Sequence, residues 1–188
     1  MTAIALLRSI NVGGHHRLPM ATLRELCESL GWTDVRTVIQ SGNVLFEPPT
    51  DAALSSGDLA ARARLGAALA DAVEARCGFR VPVILRAAEE LEQTLADYPF
   101  TEAPEDQRHY VLAAHTPAEE VRLDPDRSPP ERLQRVGDCV HLRRPKGTAK
   151  SKITTRWLEA QLGVAVTVRS MVKASGMLSL LSNSHLQL

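Results

Sequence analysis

Residues 4–20 read IALLRSINVGGHHRLPM, and the fold follows from how that stretch divides. Ile4 to Leu7 is an unbroken apolar run of strand length, and Asn11-Val-Gly-Gly14 ends it, so a buried strand enters a loop. Pro19 suits the start of a helix. Met20, Leu23, Leu26, Cys27 and Leu30 then recur at three-to-four spacing until Gly31 supplies a stop. Val35 to Ile39 and Val44 to Phe46 flank Gln40-Ser-Gly-Asn43, which reads as a hairpin turn. After a Pro/Ser-rich loop, Leu65, Leu69, Val73 and Cys77 line one side of a second helix ending at Gly78, and Val81 to Leu85 is a fourth component of strand type. The order is β-α-β-β-α-β, the split arrangement of ferredoxin-like folds.

The rest of the chain repeats that theme. Ala87 to Ala96 is a helical connector closed by Tyr98-Pro99, and Tyr110 to Ala113 is a strand. Residues 116–135 carry capping and proline signals with a poor apolar stripe for the helix the pattern calls for. Leu133 to Val136 and Cys139 to Leu142 flank Gly137-Asp138, a second hairpin. Ser151 is placed to cap a helix bearing Ile153, Trp157, Leu158 and Leu162. Ala165 to Val168 reads as a strand and Met171 to Leu181 as a last helix. The fold class expected is therefore α+β: two tandem ferredoxin-like half-domains with mainly antiparallel sheets and a C-terminal helix. The boundaries are 1–86 for the first half, 87–107 for the connector and 108–188 for the second half.

Composition narrows the function classes. Lys+Arg and Asp+Glu both total 22, so no global field recruits nucleic acid or an anionic membrane. The distribution is uneven: residues 141–156 contain six Lys or Arg and no carboxylate. Cys27, Cys77 and Cys139 are odd in number and far apart, which argues against a disulfide framework and a zinc site. No stretch is long enough to span a bilayer and no signal-peptide layout opens the chain, so a cytoplasmic location is expected. Neither a metal nor a cofactor is called for, because no ligand spacing or cofactor motif is present.

Several runs together carry a family resemblance. Leu6-Leu-Arg-Ser-Ile-Asn-Val-Gly-Gly14, Leu18-Pro-Met20, Ile39-Gln-Ser-Gly-Asn-Val44, Gly147-Thr-Ala-Lys-Ser-Lys152 and Thr167-Val-Arg169 resemble the motifs of a bacterial family called domain of unknown function 1697. The resemblance implies the doubled ferredoxin-like fold and brings no activity with it. Ser9 stands where that family usually has Gly, and His15 and His16 where it has basic or polar residues. Thr167-Val-Arg-Ser-Met-Val-Lys173 replaces the family's Thr-x-Arg-Asn-Trp-Asn-Thr, so any shared activity centred there is expected to be altered or lost in this chain.

The loop from Asn11 to Arg17 is the first candidate site. Gly13 and Gly14 let backbone amides turn toward a ligand, and the following helix N-terminus adds unpaired donors and partial positive charge. Arg8 and Arg17 flank the loop and suit forked contacts to phosphate or carboxylate. The plainer reading is a tight strand-to-helix turn. Gln40, Ser41 and Asn43 either satisfy their hairpin or read a ligand's hydrogen-bonding edge. Counting strand reversals alone puts that hairpin and the glycine loop at opposite ends of one sheet, so joining them would need the other half-domain or a partner chain.

A second candidate is the basic stretch around Lys146, Lys150 and Ser151. It differs from a P-loop because Ala149, not glycine, precedes the lysine. Arg169 either pairs with an acid or binds ligand.

Four functions fit these features. The first is binding of a phosphorylated small molecule or nucleotide. The second is nucleic-acid contact through residues 143–156, a mode unsupported by sheet aromatics in a chain only 4% aromatic. The third is an enzyme on an anionic substrate with His15 or His16 as proton shuttle. The fourth is a homodimeric scaffold joined at an open sheet edge.

Overall fold

The computed structural model describes residues 2–38, 40, 42–50, 58–119 and 121–182. It divides into two compact units, Met1–Glu90 and Leu91–Leu188. The whole is a mixed α+β protein with two four-stranded antiparallel sheets and five α-helices among the described residues.

In the first unit, β1 (Ala3–Leu7), α1 (Met20–Ser29), β2 (Thr33–Val38), β3 (Asn43–Glu47), α2 (Leu59–Cys77) and β4 (Val83–Ala87) follow the expected order. The sheet order is β2-β3-β1-β4. Every residue of β1 is buried, as an uninterrupted apolar run between two neighbouring strands requires. Leu23, Cys27, Trp32, Phe46, Leu65 and Leu69 belong to the core on one face, where Trp32 stacks on Phe46 at 3.8 Å. Burial pushes the Cys27 thiol up to about 12, which makes it a small hydrophobe rather than a nucleophile. Asp58 caps α2 by accepting from the Ala61 amide, and Gly78 at φ 77° ends it. The chain continues into α3 (Ala88–Ala96), whose Glu90 accepts from the Ala87 amide and pairs with the buried Arg62.

The second unit contains β5 (Arg108–Ala113), β6 (Arg132–Val136), β7 (Cys139–Arg143), α4 (Thr155–Leu162), β8 (Val166–Ser170) and α5 (Met171–Ser182). Its sheet order is β6-β7-β5-β8, the same order as the first sheet. Two sequence expectations are corrected here. No helix joins β5 to β6 among the described residues, so the second unit lacks the full β-α-β-β-α-β order. The segment carries Pro117, Pro125, Pro129 and Pro130, each without an amide donor. It is tied down by Arg135, which donates to Pro117 O, Ala118 O and Gly137 O at 3.1, 2.8 and 2.9 Å. Val121 and Leu123 from this irregular segment pack on the core instead of a helix stripe. Ser151 also does not cap α4: Thr154 does, its hydroxyl accepting from the Trp157 amide at 3.1 Å.

Val111 and Ala113 of β5 belong to the core with α4, and the alternation places Tyr110 on the other face. Opposite Tyr110 lies His141 of β7, fully buried, with neither ring nitrogen hydrogen-bonded. Burial holds its imidazole down at about 4, against an ordinary value of 6.5. The folded state therefore keeps the ring neutral while the unfolded chain takes up a proton below pH 6.5. The stability this contributes is complete above 6.5 and is lost as pH falls toward 4. Relative to His141→Leu, the wild type should lose about 1 kcal/mol of unfolding free energy between pH 7.5 and 5.5. Urea titrations at the two pH values measure it.

Candidate anion-binding site

A helix is a traverse of the sheet just as a strand is. Running out along β1, back along α1 and out again along β2 brings the β2–β3 hairpin to the end of the sheet where β1 finishes. The register agrees, since Leu6 near the close of β1 is opposite Asn43 at the opening of β3. The expectation that the glycine loop and the hairpin sit at opposite ends is thus overturned within a single unit, because it counted strands and left out the helix. The α2–β4 connection reaches the same end, where the Arg8 amide donates to Pro82 O at 3.0 Å.

One side chain joins the two loops. Asn11 donates from Nδ2 to Leu18 O and to Gln40 O, both at 3.0 Å, and its Oδ1 accepts from the Leu18 amide at 2.9 Å. The hairpin is pinned a second time by the Leu7 amide on Gly42 O at 2.8 Å. Only glycine fits there. Gly42 has φ 75°, and a Cβ would lie 2.7 Å from Ile10 Cδ1 and 2.9 Å from Leu7 Cβ.

Between Leu7 and Leu18 the backbone winds through five left-handed residues: Ser9, Asn11, Gly13, Gly14 and His16 have φ between 50° and 80°. Ser9, at φ 58°, is a residue for which that conformation is uncommon. The Asn11 amide donates to His16 O and the His15 amide to Val12 O. The exposed Gly13 and Gly14 amides make no protein hydrogen bond among the described residues. The start of α1 is similarly open: Pro19 occupies the N-cap, no side chain caps the helix, and its first turn has no acid. The first amides of α1 thus keep their donors and their share of the helix dipole.

These groups border a cavity of about 450 Å³ lined by Asn11, Gly14, Arg17, Leu18, Pro19, Met20 and Gln40. Arg17 is exposed and makes no ion pair among the described residues. Leu18, Pro19 and Met20, read from the sequence as a family motif and a helix start but not as site residues, form an apolar wall of the cavity. Asn11, expected as a ligand contact, has both amide protons and its oxygen engaged with the backbone and braces the site. Arg8 and Gly13 do not line the cavity.

The remaining expected residues lie elsewhere. Asn43 is fully buried and donates to Val38 O at 3.4 Å inside its own hairpin. Ser41 lies outside the described residues. His16 stacks on Phe79 at 4.7 Å with Nδ1 3.1 Å from Ser9 O, and neither it nor His15 lines the cavity. In the second unit, Lys146 and Lys150 are exposed. The Ser151 hydroxyl donates to Glu131 Oε2 at 2.7 Å and accepts from the Ile153 amide at 3.0 Å. Glu131 also pairs with the buried Arg144 at 3.6 Å. Arg169 donates to Thr167 Oγ1 at 2.5 Å and to Val168 O at 3.1 Å.

Comparison with known proteins adds a family and a fold. The family described as "Protein of unknown function (DUF1697)" matches residues 1–141. Among solved structures, the chain is similar to the conserved bacterial protein SP0830 from Streptococcus pneumoniae, at 20% identity and a TM-score of 0.64. That alignment covers 95% of this chain and 97% of the other, and at such identity it speaks to fold alone. No curated protein gives a significant match.

Asn11→Ala removes three hydrogen bonds and leaves the partly buried Leu18 amide without its acceptor. It should destabilise the first unit by about 2 kcal/mol, and Gly42→Ala by at least as much through strain and overlap. Urea unfolding followed by Trp32 fluorescence in a Trp157→Phe background reads both.

Proposed function

The chain belongs to the DUF1697 family of proteins of unknown function, and from that premise we propose that it binds a phosphorylated small molecule in the cavity of the first unit. The observation that carries this reading is the open start of α1. A helix N-terminus with no side-chain cap and no acid in its first turn borders the same cavity as the Gly14 backbone and the Arg17 guanidinium. Unpaired amides and the helix dipole favour an anion, and a guanidinium adds a forked, charge-assisted contact. Leu18, Pro19 and Met20 would cover an apolar body attached to the charged group, and Gln40 offers an amide for its polar edge.

A finer reading of the fold goes with this. The matching strand orders of the two sheets support treating both units as ferredoxin-like modules, the second without its first helix. A cytoplasmic setting is part of the same proposal, supported by the free thiols of Cys27, Cys77 and Cys139. No described helix is long and apolar enough to cross a membrane.

A thermal-shift panel of phosphorylated metabolites and nucleotides tests the binding. A ligand at a hundred times its Kd stabilises the folded state by about 2.7 kcal/mol. Arg17→Gln should weaken that ligand by about tenfold. Ala21→Asp places a carboxylate in the first turn of α1, so it should weaken the ligand about fivefold while leaving the unliganded protein at least as stable. A shift of unchanged size in both variants rejects this cavity as the site.

A further inference from the structure

The second unit holds a concentration of positive charge that only partly overlaps the basic stretch 141–156. Arg143 of β7 is directly opposite Arg108 of β5 on one side and Arg132 of β6 on the other. Residues directly opposite in an antiparallel sheet project from the same face, so three arginines form one row across three adjacent strands. Like charges at this spacing repel. Among the described residues the one carboxylate paired with them is Glu102, whose Oε1 lies 3.3 Å from Arg132 Nη1 and 4.0 Å from Arg143 Nη1. Three guanidiniums and one carboxylate leave two positive charges in excess.

The three arginines are not equally engaged. Arg108 donates to Ala103 O at 2.7 Å and Thr101 O at 2.8 Å, and lies over the Tyr98 ring at 5.3 Å. Arg132 lies over the Phe100 ring at 4.7 Å and reaches Glu102. Arg143 has the weakest set of partners: one carboxylate at the limit of ion pairing, and a buried Nε with no hydrogen-bond acceptor. A buried charged donor without an acceptor is costly to keep. Glu131, the residue before Arg132, gives no relief, because it is committed to Arg144 and Ser151. Glu102 itself is exposed on a surface turn and so is free to swing away.

We propose that Arg143 and Arg132 hold the phosphate group of a ligand at this end of the second sheet, with Glu102 taking the place of the anion when the site is empty. The row offers forked donors to phosphate oxygens, and Arg108 contributes charge from a fixed position. Tyr98 and Phe100 are 4% and 3% exposed and already faced by arginines. Neither ring is left to stack on a base, so the site reads phosphate rather than nucleobase. It is separate in residues and in unit from the cavity at Arg17.

The test is a titration of ¹⁵N-arginine-labelled protein with inorganic phosphate and, separately, with a 5′-mononucleotide at constant ionic strength. The Arg143 Nε–H resonance should move saturably. Arg143→Gln or Arg132→Gln should weaken binding about tenfold, and Arg17→Gln should leave it unchanged. Glu102→Gln removes the competing anion and should tighten binding severalfold, a result that does not depend on the arginine variants folding. Tighter binding of the nucleotide than of phosphate assigns the group to a phosphoester; equal binding assigns it to free phosphate. An Arg143 Nε–H signal unmoved by either probe, or phosphate binding that Glu102→Gln leaves the same or weakens, overturns the proposal.

Discussion

The carboxamide of Asn11 is the joint on which the first unit's site depends. A side-chain amide has two donors and an acceptor oxygen, and here Leu18 O, Gln40 O and the Leu18 amide engage all of them. Each such bond is worth about 1 kcal/mol net, but leaving a buried partner without it costs more. The loop between β1 and α1 passes through five left-handed residues, a conformation that would open if nothing held it to the hairpin. With Asn11 in place, Arg17, Gly14 and the first amides of α1 border one cavity. The residues that border the cavity with Asn11 are thus held in place by its own hydrogen bonds.

The two units show what the first connection in such a sheet decides. Both sheets have the order in which the first strand lies between the third and the fourth. In the first unit a helix follows that strand, and its uncapped start gives an electropositive end. In the second unit prolines and the Arg135 contacts replace the helix, so among the described residues no helix start is available at the corresponding place. Positive character in the second unit comes instead from side chains on the strands themselves, at the opposite end of its sheet, where β5 and β6 begin and β7 finishes. One architecture thereby yields two chemically different ends, one built from backbone amides and the other from guanidiniums.

Much of this was legible in the sequence wherever a local rule acts alone. The apolar run of β1, the three-to-four spacing of α1 and the glycine-centred hairpins placed their elements correctly, because burial and turn chemistry are read over a few residues. The cap of α4 was misjudged as Ser151, since both it and Thr154 carry a suitable hydroxyl and only the fold shows Ser151 turned to Glu131. The relation of Gly14 to Gln40 follows from the chain reversals only when α1 is counted among them. The arginine row was also within reach. A hairpin closing at Gly137-Asp138 pairs Val136 with Cys139 and therefore Arg132 with Arg143, but Arg108 enters only once β5 is known to flank β7.

Charge placement ties these points together. Acids and bases are equal in number, at 22 each, so an unmatched arginine is not a by-product of a generally basic chain. Several arginines are met by a carboxylate, Arg62 by Glu90, Arg36 by Asp34, Arg80 by Asp71 and Glu74, and Arg144 by Glu131, while Arg135 is met by backbone carbonyls. The buried ones, Arg62 and Arg144, need their partners most, because an uncompensated guanidinium in a dry setting is costly. Arg17 has no such partner among the described residues, and Arg143 shares a single exposed one with Arg132. Both of these less-compensated arginines lie at a sheet end, one beside the cavity and one in the row. Each of those two ends thus carries positive charge that its nearest carboxylates do not fully balance.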